Sequence, residues 1–318
     1  MKNLWLQFIV ILTALVVMGS LLQSPQQHLT ERLVEERFIR NKISQEDQLQ
    51  IGQTGAAVVL GGLRSLIAAV LNLQAYGAFE EEDWVKLEQL YEVVVTLQPD
   101  NIYYWETGAW HLAYNAYHDF KYKLGLSDSR RRLKQQEYQL KGEEMLLRGT
   151  KEAPDELSLW QELGRLYSNN YKPYDFPKSA KYLKRATECT KATDRIKREY
   201  FYTLGRVRGA EEEAWMLGGE LMNRGNGRYS SVRSLYFALS VIKDPSLVES
   251  EKLIEGVFAG NKRLAYKDLV NYWLRSKKER FPVGPLSLSI AYLAEELDVP
   301  SAYNPLINPK MSRITEIK

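Results

Sequence analysis

The chain has 318 residues, enough for one large domain or two ordinary ones, and its 45% hydrophobic content can supply a buried core. Its 43 basic residues are nearly cancelled by 40 acidic ones, which argues against a nucleic-acid binder that works by phosphate neutralisation. A single cysteine, Cys189, rules out an intrachain disulfide and a thiolate zinc site, and with no histidine nearby in sequence it reads as an inert helix residue.

Residues Leu4 to Leu22 carry no charge, and Gln7, Thr13, Gly19 and Ser20 are the only interruptions. At about 1.5 Å rise per residue this segment nearly crosses a hydrocarbon core of roughly 30 Å. Residues 1–24 are therefore expected to form an uncleaved transmembrane helix. A cleaved signal peptide is the competing reading, because the most apolar part, Phe8 to Met18, is short. Lys2 alone precedes the segment, as in an export signal, and an extracytoplasmic, periplasmic body is expected. Arg32, Arg37, Arg40 and Lys42 lie behind it and would favour a cytoplasmic body, but they alternate with Glu31, Glu35 and Glu36. Residues 25–50 read as a polar stalk.

A second apolar stretch, Gly55 to Leu73, carries Arg64 near its centre, where insertion would cost about 2.5–3.5 kcal/mol. It reads as a helix beginning near Gly62. Asp83 and Trp84 then mark an inter-helix turn. Leu87, Tyr91 and Val94 form the apolar stripe of a second helix, which Pro99 ends. The next helix carries Trp105, Ala109 and Leu112 in large-small-large order, and its partner carries Gly142, Leu146 and Gly149 before Pro154. Leu71 and Trp105 stand 34 residues apart, whereas Pro99 and Pro154 stand 55 apart. The extra residues fall near 119–134 and predict an extended first helix and a basic loop around Arg130, Arg131, Arg132 and Lys134.

The clearest unit begins at Leu157. Trp160, Leu163, Gly164 and Tyr167 reproduce the W-x2-L-G-x2-Y pattern, in which the large residues share one helical stripe and the glycine admits a close partner helix. Ser179, Leu183 and Ala186 supply that partner. Phe201, Leu204 and Gly205, then Ala214, Gly218 and Leu221, suggest another pair. Amphipathic helices are predicted at Val232 to Ile242, Leu247 to Phe258 and Leu264 to Lys278. In the tail, which Pro282, Pro285, Pro300, Pro305 and Pro309 break, a short helix is predicted from Leu286 to Leu297. No strand-like alternation persists anywhere.

On these motifs the chain resembles a tetratricopeptide-repeat protein from Gly62 to about Ala186, and more weakly to about Asn261. LGGLRSLIAAVLNLQA and LQPDNIYYWETGAWHLAYNA are similar to a group of bacterial membrane-anchored repeat proteins without an established activity. The resemblance implies an all-α helical-repeat solenoid over residues 51–262, with residues 263–318 as a helical cap and proline-rich tail. It also implies partner binding on a concave surface lined by each first helix. In that register the solvent-facing positions are Asn72 and Tyr76, then Tyr103, Glu106, Trp110 and Tyr114. Gln161, Arg165 and Asn169 follow, then Tyr202 and Arg206. Aromatic rings followed by arginines and amides suit an extended peptide or a partner helix.

No phosphate loop, nucleophile elbow or H-E-x-x-H motif is present, and His111 and His118 are too far apart along one helix for a single metal. The chain is therefore expected to be no enzyme and to need no cofactor, metal, nucleic acid or small-molecule substrate. The expectation is a membrane-tethered scaffold for a protein or peptide partner. The alternative is a regulatory or assembly subunit of a cell-envelope enzyme or secretion complex.

Overall fold

The structure is a computed structural model that describes residues 63–276 and 284–308, with Lys310, Met311 and Ile314. The described residues are all-helical, with no strand among them. The expected membrane segment at residues 4–22, the stalk at 25–50 and the start of the repeat body lie outside them. Among the described residues no helix is long and apolar enough to cross a membrane. The chain divides after Gly142 into two compact units.

In the first unit, α1 (Arg64–Glu80) turns directly into α2 (Trp84–Leu97). The turn is closed by two backbone bonds, from the Asp83 N–H to the Ala78 carbonyl at 2.9 Å and from the Glu82 N–H to the Phe79 carbonyl at 3.1 Å. Such a paired closure puts one residue in the left-handed region, usually glycine. Here it is Glu82, with φ 53°. The Asp83 carboxylate then caps α2 by accepting from the Lys86 N–H at 3.0 Å. Leu87, Tyr91 and Val94 are buried, as their stripe predicts.

The following helix runs as α3 (Ile102–Trp110), a π-helical stretch at His111–Ala116, and α4 (Tyr117–Tyr122). Its partner α5 (Asp128–Glu152) is 25 residues long. The extra residues therefore lengthen both helices of this pair. The basic loop expected around Arg130 to Lys134 is not found, because those residues form the first turns of α5. Arginine is a good helix former. Asp128 sits in the first turn, where a carboxylate favours the positive helix end, and Lys134 pairs with Glu137 at 2.8 Å. The two long helices touch at Gly142, where an added Cβ would lie 2.5 Å from the Ala113 Cβ and 2.8 Å from the Ala109 carbonyl.

The second unit takes in the end of α5. It continues through α6 (Leu157–Ser168), α7 (Phe176–Glu188), α8 (Asp194–Leu204) and α9 (Glu211–Asn223). Then come α10 (Ser230–Lys243), α11 (Glu251–Phe258), α12 (Lys262–Ser276) and α13 (Leu286–Glu296). The α6–α7 pair matches its motif closely. A Cβ at Gly164 would meet the Leu183 Cγ at 2.5 Å, and the Ser179 hydroxyl donates to the Gly164 carbonyl at 2.7 Å. Leu163, Leu183 and Ala186 are fully buried, each leucine contributing roughly 1.5–3 kcal/mol. One apolar core runs from Ala180 through Phe201, Leu235 and Tyr266 to Ile290 and Ile314.

Two local contacts occur once within each unit. Trp105 Nε1 donates to the Pro99 carbonyl at 2.9 Å, and Trp160 Nε1 donates to the Pro154 carbonyl at 2.8 Å. Asp175 caps α7 through the Lys178 N–H at 3.0 Å, as Asp83 caps α2.

Candidate functional site

The eleven side chains expected to line a binding surface divide sharply by unit. In the second unit they are taken up by neighbouring helices. Gln161 is buried rather than solvent-facing and donates to the Glu199 carboxylate at 2.6 Å. Arg165 also reaches Glu199, at 2.9 Å, and pairs with Glu162 at 2.8 Å. The Asn169 side chain accepts from the Tyr171 N–H at 2.8 Å and so shapes the α6–α7 connection. The Tyr202 hydroxyl meets Ser231 at 2.7 Å, and Arg206 lies over the Phe176 ring at 5.1 Å. The same device, an ion pair between two helices, joins Arg233 of α10 to Asp268 of α12. Glu199 lies 34 residues beyond Arg165 and Asp268 lies 35 beyond Arg233, so no local pattern marked these partnerships.

In the first unit the aromatic positions remain open. Tyr76, Tyr103 and Trp110 are 57%, 57% and 50% exposed. Glu106 and Tyr114 are half-buried, and Asn72 accepts from the Tyr91 hydroxyl at 3.1 Å. Leu66, Val70 and Leu73 add an exposed apolar stripe on α1. Single exposed leucines are ordinary; a stripe at helical spacing that continues to the open ring of Tyr76 on the same helix is the candidate surface of this unit.

Behind the open rings the packing is dense. His111 is buried, with ring centroids of Phe79 at 4.8 Å, Trp110 at 5.0 Å and Tyr91 at 5.9 Å. Its Nδ1 meets the Asn115 amide at 3.0 Å. Burial pushes the imidazole pKa down to about 4, so the ring is neutral at pH 7. His111 and Asn115 lie in the π-helical stretch, a geometry found frequently at functional sites.

Also in the first unit, a cleft of about 640 Å³ opens beside the α1–α2 turn. Phe79, Trp84, His118 and Tyr122 supply rings to its lining, and Glu80, Glu82 and Asp119 supply carboxylates. Trp84 Nε1 donates to Asp119 Oδ2 at 2.7 Å. Lys123 Nζ bridges Glu82 at 2.8 Å and Asp119 at 3.0 Å. Sequence reasoning missed this cleft: Asp83 and Trp84 read only as an inter-helix turn, and Asp119 lies in the expected insertion.

In the second unit a buried carboxylate is fully partnered. The buried Glu143 accepts from Tyr167 at 2.5 Å and Tyr182 at 2.6 Å and pairs with Lys178 at 2.7 Å. Burial pushes its pKa up, but these three partners outweigh burial and hold it below the usual carboxylate range. Cys189 is buried, which raises its thiol pKa and leaves it a poor nucleophile. Among the described residues no group of three histidine, cysteine or carboxylate side chains is placed to hold a metal ion.

The chain matches no protein-family model and no curated protein.

Proposed function

We propose that this protein is a membrane-tethered interaction scaffold of tetratricopeptide type, held by residues 4–22, whose first described unit receives a partner polypeptide on its aromatic face. The observation that carries this reading is the exposure of Tyr76, Tyr103 and Trp110 beside the bare stripe of Leu66, Val70 and Leu73. Rings anchored by buried neighbours offer large contact area at little entropic cost, the usual make-up of a binding hot spot. The second unit supports the same reading by contrast. Its polar candidates already join helix to helix, which suits a rigid body more than a second binding face. The recurring tryptophan–proline bonds and aspartate caps favour a repeat architecture.

The test is site-specific photo-crosslinking in native cells, with a photoreactive residue at position 103 or 110 and a control at the exposed Met216. Both first-unit positions should capture the same partner, and Met216 should not. The double variant Tyr103→Ala, Trp110→Ala should lose that partner. Capture from Met216 alone, or a partner retained by the double variant, would sink the reading.

A further inference from the structure

Within the first unit, α1 is apolar on the side that faces solvent as well as on the side that faces α2. Ala68, Ala75 and Ala78 are buried, whereas Leu63, Leu66, Val70, Leu73 and Tyr76 are exposed. The exposed set advances by steps of three or four residues, so it lies along one side of the helix. No charged residue stands between Arg64 and Glu80. A helix that is hydrophobic all round belongs in an interior. By contrast α2, which buries one face only, exposes Lys86 and Gln89.

The chain that adjoins α1 matches what its bare side lacks. Arg64 is the only charged residue between Asp47 and Glu80, and residues 51–60 end in the apolar run Ala56, Ala57, Val58, Val59, Leu60. Gly61 and Gly62 join that run to Leu63, where the stripe begins. A reversal there needs backbone conformations that glycine adopts freely. The reach is sufficient. From Leu63 to Leu73 α1 rises about 15 Å, and ten residues cover that length as a helix and up to about twice it when extended. A segment tethered this closely meets the stripe at an effective concentration on the order of millimolar, without the translational freedom that a separate molecule loses on binding.

We infer that residues 51–60 fold back at Gly61 and Gly62 and cover the Leu66, Val70 and Leu73 stripe of α1. The occupant of the stripe is the chain itself, and Tyr76, Tyr103 and Trp110 are left for the partner. The inference goes beyond the scaffold reading and does not depend on it.

The test uses the purified full chain in phosphatidylcholine vesicles, as an equal mixture of isotopically light and heavy copies, with a photoreactive residue at position 70 or, separately, 73. Trypsin cuts after Lys42, Arg64 and Lys86, so residues 43–64 and 65–86 separate unless a crosslink joins them. Joined peptides should form, and both halves should carry the same label, the mark of a single chain. Val58→Asp with Val59→Asp should lower their yield about tenfold or more, because two charges replace buried methyl groups. Val58→Ile with Val59→Ile should retain it. Helical circular dichroism unchanged in both variants would show that the described body stays folded.

Joined peptides of mixed label would assign the stripe to a second copy, and adducts to lipid alone would assign it to the membrane surface. Absence of joined peptides, or a yield indifferent to the two aspartates, would leave the segment elsewhere. Each of these results overturns the inference. Should the crosslinks from positions 103 and 110 persist in native cells in that case, the scaffold reading stands without it.

Discussion

At the scale of single residues, the glycines and histidines behave very differently from one position to the next. Gly164 and Gly142 both mark close helix contacts, but their neighbours differ. Opposite Gly164 stands a leucine side chain; opposite Gly142 stand the Ala113 Cβ and a backbone carbonyl, which yield only if the helices part. His111 was set aside at the sequence level as a poor metal ligand, and its actual part is to fill the space behind the exposed rings as a neutral imidazole. Its folded pKa, about 4, lies below the ordinary 6.5. The stability this contributes is therefore present above pH 6.5 and is lost as pH falls from 6.5 through 4, on the order of 3 kcal/mol in all. Denaturant midpoints measured across that range should fall more steeply for the native chain than for His111→Gln. Parallel pH profiles would show that the imidazole is not held neutral by the fold.

At the scale of elements, helix pairs are built from local signals that repeat. An aspartate caps the second helix at α2 and again at α7, each time just before a large buried aromatic residue, Trp84 or Phe176. Asp83→Ala and Asp175→Ala should each cost about 1 kcal/mol in equilibrium unfolding, since each leaves one helix-end N–H without its acceptor. Costs near zero would mean that water replaces the cap at once. The long pair formed by α3 to α5 departs from the others in length and in its π-helical stretch; its first helix carries Tyr103, Trp110 and one wall of the acidic cleft, while Tyr76 and the other wall come from α1, α2 and their turn.

At the scale of the whole molecule, the scaffold proposal requires the body to be carried on a membrane by residues 4–22. Alkaline extraction of the native chain should leave it in the membrane fraction. A reporter fused after Lys318 and active on only one side should read extracytoplasmic. Release by alkali would remove the tether from the proposal, and a cytoplasmic signal would move the partner search to the other side of the membrane.

How much was legible follows from the range of the forces involved. Most helix positions, the aspartate turn, the proline stops and the Gly164–Leu183 contact depend on neighbours within a turn or within one helix pair, so spacing and residue type determined them; the helix expected from Leu247 to Phe258 is instead split at Ser250, whose hydroxyl caps α11 after a 3-10 turn over Pro245–Glu249. The sequence by itself also marked Tyr76, Tyr103 and Trp110 as outward positions. What it could not carry was which outward side chains stay free. Arg165 and Gln161 are consumed by Glu199, and Arg233 by Asp268, because packed helices bring together residues 34 to 38 positions apart in sequence. Exposure belongs to a residue's neighbours in space, so only the tertiary structure decided that the first unit keeps its rings open. The same holds for the cleft, where Trp84 and Asp119, 35 residues apart in sequence, are joined by packing alone.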